Sequence, residues 1–291
     1  MSFVIFTDSS SNLTPDLTKE WDIQVIPLYI RMADGSEHAC FGEDMDLHAF
    51  YNELRAHKIV HTSMINSATF SEAFEPVLKE GRDILYIAMS SGISGTAFAA
   101  KTAAEELAET YPERKVVVVD TLGASFGEGL FALECAKMRA AGESLETCAK
   151  WCEGHIPNMN QFLMVDDLVC IKNGGRISGI VALAGTILRL KPVLFGNPEG
   201  KFSIADKSLG RKKSLKFLSD ICLKRIRDHK KYVIGIAHAD CEADAELVMD
   251  AIREKLPDQQ FLVRCYEPGT GAHTGADALA IFFFGDDRST L

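Results

Sequence analysis

The stretch Ile84-Leu85-Tyr86-Ile87-Ala88-Met89-Ser90-Ser91-Gly92-Ile93-Ser94-Gly95-Thr96 decides the fold class. Its first six residues are an unbroken apolar run, the pattern of a strand buried on both faces. The Ala-rich residues 97–109 read as a helix. Between them lie serines, glycines and a threonine that point hydroxyls and backbone N–H groups at one spot before a helix N-terminus. Such a spot suits a phosphate or a carboxylate. Taken alone, Ser94 or Thr96 would serve equally as a helix cap, worth about 1 kcal/mol.

Neighbouring segments repeat the strand–loop–helix pattern. Phe3-Val4-Ile5-Phe6 runs into Thr7-Asp8-Ser9-Ser10-Ser11-Asn12, and Thr14-Pro15 opens a short helix. Ile23 to Ile30 reads as a second strand that turns at Ala33-Asp34-Gly35. Asp46 precedes Leu47, Phe50, Tyr51 and Leu54, one face of an amphipathic helix. Thr62 to Ser67 reads as a polar loop, and Thr69 with Glu72 has capping-box spacing before the next helix. Lys115 to Val119 is a strand ending at Asp120-Thr121, followed by two helices to about His155. This alternation predicts an α/β domain with a mostly parallel sheet, whose ligands gather at the carboxyl ends of the strands. Asp8–Asn12, Thr62–Ser63, Ser90–Thr96 and Asp120–Thr121 would all lie at that edge.

Gly154 to Asn160 is the expected linker, dividing the chain into residues 1–158 and 159–291. The second half predicts a mixed sheet with helices. It has a strand from Gln161 to Val165, a helix stopped by Gly174-Gly175, and one capped by Ser178 that runs to about Leu190. A hairpin turns at Asn197-Pro198-Glu199-Gly200. Beyond the basic knot Arg211-Lys212-Lys213, a helix, a strand at 233–237, a helix at 243–256 and strands at 261–265 and 278–284 follow.

With 291 residues, 47% hydrophobic and 25% charged, the chain is an ordinary globular protein long enough for two domains. A net charge of −10 argues against a nucleic-acid partner. No segment approaches the ~20 apolar residues of a membrane span, and the N-terminus lacks a signal-peptide pattern. Eight cysteines without metal-ligand spacing read as thiols in a reducing cytoplasm, with no metal site.

Known catalytic patterns fail. Gly92-Ile93-Ser94-Gly95-Thr96 has Thr96 where a nucleophile elbow needs its last glycine. No Gly-Lys-Ser/Thr marks a Walker A loop, and Gly123, Gly127 and Gly129 are misspaced for a dinucleotide fingerprint. Anion-binding equipment without an evident catalyst points to a binder.

The assembled motifs resemble the DegV family of bacterial fatty-acid-binding proteins over nearly the whole chain. They are Thr7-Asp8-Ser9, Thr62-Ser63, Ser90-Ser91-Gly92-Ile93-Ser94-Gly95-Thr96 and Val118-Val119-Asp120-Thr121. Asp167-Leu168 with Gly174-Gly175-Arg176-Ile177-Ser178, Lys191-Pro192 and Gly271-Ala272-His273-Thr274-Gly275 complete the set. The resemblance implies a two-domain α/β protein that holds one long-chain fatty acid, such as palmitate or oleate, between its domains without a cofactor. It implies that Thr62 and Ser94 bind the carboxylate, with the Gly95 N–H a third donor and His273 nearby. It further implies a non-catalytic role: the acid goes to an ATP-dependent fatty acid kinase subunit, and the acyl phosphate is then presented to phospholipid synthesis, with transient membrane contact. Arg211, with Arg176, is the candidate for docking the kinase or its phosphate-bearing product. Two departures bear on the pocket walls: Met64-Ile65-Asn66 replaces a usual Gln-Pro-Ser, and Ala276-Asp277-Ala278 follows Gly275 where Gly-Pro-Gly is common. The rival readings are a serine hydrolase or phosphotransferase on a related frame, and a carrier of another amphiphile.

Overall fold

The computed structural model describes residues 3–42, 45–168, 170–171, 175–176 and 190–291. The expected stop at Gly174 and the expected helix from Ser178 towards Leu190 lie outside the described residues.

The fold is α/β. Strands β1 (Phe3–Asp8), β2 (Ile23–Ile26), β6 (Asp83–Ala88) and β7 (Val116–Asp120) form an all-parallel sheet in the order β2-β1-β6-β7. The chain leaves β1 towards one side for β2 and towards the other for β6 and β7. The crevice beyond the carboxyl ends of β1 and β6 is therefore a topological switch point, the usual ligand position in such sheets. The loops after these strands hold Ser9–Asn12 and Ser90–Thr96.

The second sheet is mixed, in the order β10-β9-β8-β13-β11-β12. Its members are β8 (Met159–Met164), β9 (Val193–Gly196), β10 (Phe202–Asp206), β11 (Ile234–His238), β12 (Phe261–Cys265) and β13 (Leu279–Phe284). Only β11 and β12 are parallel neighbours, and β9 with β10 forms the expected hairpin.

Helix α5 (Phe126–Ala140) lies between the two sheets and touches β1 and β6 on one side and β8, β11 and β13 on the other. Its first eight residues are all buried, as an apolar surface on every side requires. Two glycines allow this fit. A Cβ at Gly129 would stand 2.3 Å from the Ser11 carbonyl oxygen, and one at Gly127 would stand 2.7 Å from Gln161 Oε1. The glycines misspaced for a nucleotide loop thus serve close helix packing. One hydrophobic core runs continuously from Phe3 to Phe284 through this helix. A second core lies on the other face of the mixed sheet, under the helices Arg211–Arg225 and Glu242–Arg253.

Several local expectations change. Ile23 to Ile30 is not one strand. Pro27, which has no N–H to give a ladder, separates β2 from β3 (Tyr29–Arg31), and β3 joins a third, antiparallel sheet with β4 (Glu37–Ala39) and β5 (His61–Ser63). Thr62-Ser63 is therefore strand and not loop, with Thr62 paired opposite Ile30. Helix α3 (Ser67–Lys79) starts before the expected capping box, because Asn66 accepts the Thr69 N–H at 3.0 Å. The expected linker is ordered. Helix α6 runs Leu145–His155, Ile156–Asn158 is one 3-10 turn, and Asn160 already belongs to β8.

Beneath the switch point lies a buried polar knot. Thr7 Oγ1 and Ser10 Oγ stand 2.5 and 2.6 Å from the two carboxyl oxygens of Glu128 on α5. Asp8 accepts from the Ser10 N–H at 2.9 Å and the Tyr86 hydroxyl at 2.7 Å. Burial, with the negative Asp8 alongside, pushes the Glu128 carboxyl well above its ordinary 4.5. A carboxyl raised in the fold binds its proton more tightly there than in the unfolded chain. Its contribution to stability is therefore present below the ordinary value and is lost as pH rises towards the folded one. Glu128→Gln, which keeps the shape but cannot ionise, should gain stability relative to the wild type as pH rises above the ordinary 4.5 in urea denaturation. Parallel pH profiles for the two proteins would refute this.

Candidate functional site

Above the knot, the two sheets and the third small sheet enclose a cavity with about 940 Å³ of empty space, its open mouth included. Its walls are mainly apolar. Leu28, Met89 and Ile93 come from the N-terminal half, and Phe162, Leu163, Phe202 and Phe282 from the mixed sheet. The polar lining residues are Thr62, Ser63, Ser94, Arg176, Thr270 and His273, with Ser10, Ser125 and Gln161.

Ser94 is placed by the turn after β6. The Ser94 N–H donates to the Ser90 carbonyl at 3.1 Å, and the Asp120 carboxylate at the end of β7 accepts the Ser91 and Leu122 N–H groups at 3.2 and 3.1 Å. Asp120 therefore ties two strand-end loops together. Ser90 Oγ donates to the Gly200 carbonyl at 2.7 Å, which fixes the β9–β10 hairpin against the same loop. Ser94 Oγ lies 2.9 Å from Thr96 Oγ1 and accepts the Thr96 N–H at 3.2 Å. It thus starts helix α4 (Thr96–Thr110) and still lines the cavity. Gly95 is the N-cap of that helix, and a Cβ there would meet Met64 Sδ at 3.0 Å. Met64, where the sequence departs from the family pattern, is therefore what closes the Thr62 strand onto the Ser94 turn.

Thr62 and His273 meet directly, with Thr62 Oγ1 2.8 Å from His273 Nε2. His273 stands on a short helix, Pro268–Thr274, that sequence reasoning missed. The local signal was there: Glu267 caps the helix by accepting the Gly269 and Thr270 N–H groups at 2.5 and 2.6 Å, and Pro268 occupies the first turn. Burial raises the Glu267 carboxyl to about 7. The Glu267 N–H donates to Asn12 Oδ1 at 3.0 Å, and the Tyr51 hydroxyl donates to the Tyr266 carbonyl at 3.0 Å. The β1 loop and helix α2 (Leu47–Arg55) thereby hold the histidine-bearing helix in place.

The structure thus brings Thr62, Ser94 and His273 to the wall of one cavity, with Gly95 next to Ser94 against Met64 and the exposed Arg176 on the same wall. Arg211 stands elsewhere. Its guanidinium donates to Asp244 Oδ2 at 2.6 Å, to Asp166 Oδ1 at 2.8 Å and to the Asp277 carbonyl at 2.7 Å. Asp277, the other departure from the family pattern, also pairs with Arg55 at 2.7 Å. Sequence reasoning placed Ser10 at the ligand edge within Asp8–Asn12 but did not single out Ser125, Gln161, Tyr266 or Thr270 as wall residues. These come from three separate stretches, around residues 125, 161 and 266–270, and only the folded chain unites them.

Chemically, the site offers neutral hydroxyls, an imidazole and a helix N-terminus at the end of an apolar chamber. Ser94 Oγ has Thr96 as its side-chain partner, whereas His273 Nε2 pairs with Thr62. A Ser–His dyad of the acyl-transfer type is not assembled at Ser94.

A family model described as "Uncharacterised protein, DegV family" matches residues 2–286. A DegV domain-containing protein of Clostridium perfringens is 39% identical over 286 residues, covering 98% of each chain. One from Lactococcus lactis is 33% identical over 282 residues, covering 97% of each. Among solved structures, a DegV family protein of Thermus thermophilus described by its fatty acid binding superposes with a TM-score of 0.87 at 28% identity, covering 98% of this chain and all of that one. DegV of Bacillus subtilis, described as a fatty acid binding protein, superposes at 0.83 with 25% identity and the same coverage. The chain belongs to the DegV family.

Proposed function

We propose that this protein binds one long-chain fatty acid, palmitate- or oleate-sized, in the cavity between its sheets. Thr62, Ser94, the Gly95 N–H and His273 would hold the carboxylate. The observation that carries the reading is a mainly apolar chamber whose wall also holds the Thr62–His273 pair and Ser94. The fatty acid binding described for the Thermus and Bacillus relatives supports it. Burying roughly 14 CH₂ groups at ~0.8 kcal/mol each offers on the order of 11 kcal/mol before association costs. Each head-group hydrogen bond adds about 0.5–3 kcal/mol. The tail sets affinity and the hydroxyls set orientation. No cofactor enters this reading, and the protein acts as a carrier with no chemistry of its own.

We further assign it the role of presenting the acid to an ATP-dependent kinase subunit for acyl-phosphate formation. Arg176, exposed on the cavity wall, is assigned the docking role. Met64 and Phe98, 52% and 61% exposed beside the Ser94 turn, suit transient contact with a membrane. Cytoplasmic residence agrees with eight cysteines that form no disulfide. The division into domains at residues 158 and 159 stands as a proposal, since each half supplies its own large sheet but one core spans both.

The double substitution Thr62→Ala with Ser94→Ala should raise the Kd for a long-chain acid about ten- to hundredfold in a fluorescence displacement titration, with the fold retained by circular dichroism. Unchanged affinity would refute the head-group assignment. Arg176→Ala should keep its bound acid yet lower acyl-phosphate formation by a fatty acid kinase subunit; normal turnover would remove Arg176 from docking. A serine-reactive phosphonate should leave Ser94 unlabelled, and labelling there would favour the hydrolase reading.

A further inference from the structure

We propose that His57, Asp167 and Cys170 form a binding site for a divalent ion of the zinc type, beside a second cavity that shares Thr62, Arg176 and His273 with the candidate ligand cavity. Among the described residues, this is the one group of three His, Cys, Asp or Glu side chains whose ligand atoms converge. His57 Nδ1 lies 3.3 Å and Cys170 Sγ 3.7 Å from Asp167 Oδ2, and all three atoms fall within 4.8 Å of one another. A tetrahedral zinc ion with bonds of about 2.0–2.2 Å to nitrogen and oxygen and about 2.3 Å to sulfur sets N···O near 3.3 Å and S···O near 3.6 Å. The two closest separations already match. Three protein ligands leave a fourth position open for water or a ligand atom.

The backbone supplies an independent reason. His57 has φ 55°, just past the end of helix α2, and its N–H donates to the Leu54 carbonyl at 2.9 Å. Glycine is the usual occupant of that position, because a Cβ is unfavourable there. A histidine keeps the strained conformation and adds a ring aimed at Asp167. On the other side, Asp167 and Cys170 stand three residues apart and meet directly, with the thiol donating to the carboxylate. The preceding Asp166 is fixed by Lys191 at 2.7 Å and Arg211 at 2.8 Å.

Access is provided by a second cavity of about 630 Å³ of empty space, its opening included. His57, Cys170, Arg176, Thr62 and His273 are among its lining residues. An ion there would tie the segment leading into Thr62 to the one preceding Arg176. On binding, the thiol releases its proton to solvent as the sulfur–metal bond forms, and the resulting thiolate with Asp167 balances the two positive charges. The expectation of no metal site rested on short ligand spacing, which a residue 57 to 167 pairing cannot show.

The test is titration of the chelator-stripped full-length protein with Co²⁺ alone, followed by displacement with Zn²⁺. The expected result is one equivalent of four-coordinate cobalt with a thiolate charge-transfer band, abolished by Zn²⁺. Cys170→Ser should lose that band, and the exposed His57→Ala should weaken binding at least about tenfold with unchanged thermal stability of the metal-free protein. No saturable binding by the wild type, or a charge-transfer band that persists in Cys170→Ser, would overturn the site.

Discussion

The contact on which everything else depends is the wedge of helix α5 between the two large sheets. Gly127 and Gly129 let it approach the Ser11 backbone and Gln161 to distances that a Cβ would forbid. The first half of a helix so enclosed must be apolar on all sides, and its one buried carboxyl, Glu128, is answered by Thr7 and Ser10 at once. That knot fixes the loop after β1, which in turn holds Glu267 through Asn12 and so positions the helix bearing His273. The cavity is the space left between sheets held apart by one helix.

From this frame the division of labour in the site follows. The switch point of the parallel sheet supplies the Ser94 turn, and the small antiparallel sheet supplies Thr62. The mixed sheet supplies apolar wall and, through Glu267-Pro268, the histidine. Thr62 and Ser94 offer neutral hydroxyls on the cavity wall, and the one guanidinium there, Arg176, is exposed, so a carboxylate can be held without burying a cation. Among the described residues, Ser94 Oγ pairs with Thr96 Oγ1 and His273 Nε2 with Thr62 Oγ1.

Much of this was legible in the sequence, and the failures have physical causes. The buried strands β1, β6 and β7 announce themselves as apolar runs, and the hydroxyl-rich loops after them mark the ligand edge. Strand β5 does not, because His61-Thr62-Ser63 is a short polar strand whose register is set by pairing with Tyr29–Arg31 and not by its own pattern. Pro27 could have signalled the break after Ile26, and Asn66 the true start of α3. Arg211 looked like part of a free basic knot, because the acidic residues that engage it are Asp166 and Asp244, far away in the chain. Long-range pairing of this kind leaves no trace in spacing.

The most direct test of the account is mass spectrometry of whatever leaves the purified wild-type protein on organic extraction. The account predicts close to one equivalent of a long-chain fatty acid. A phosphorylated metabolite, a sugar or an empty cavity, with no uptake of palmitate or oleate added afterwards, would contradict it.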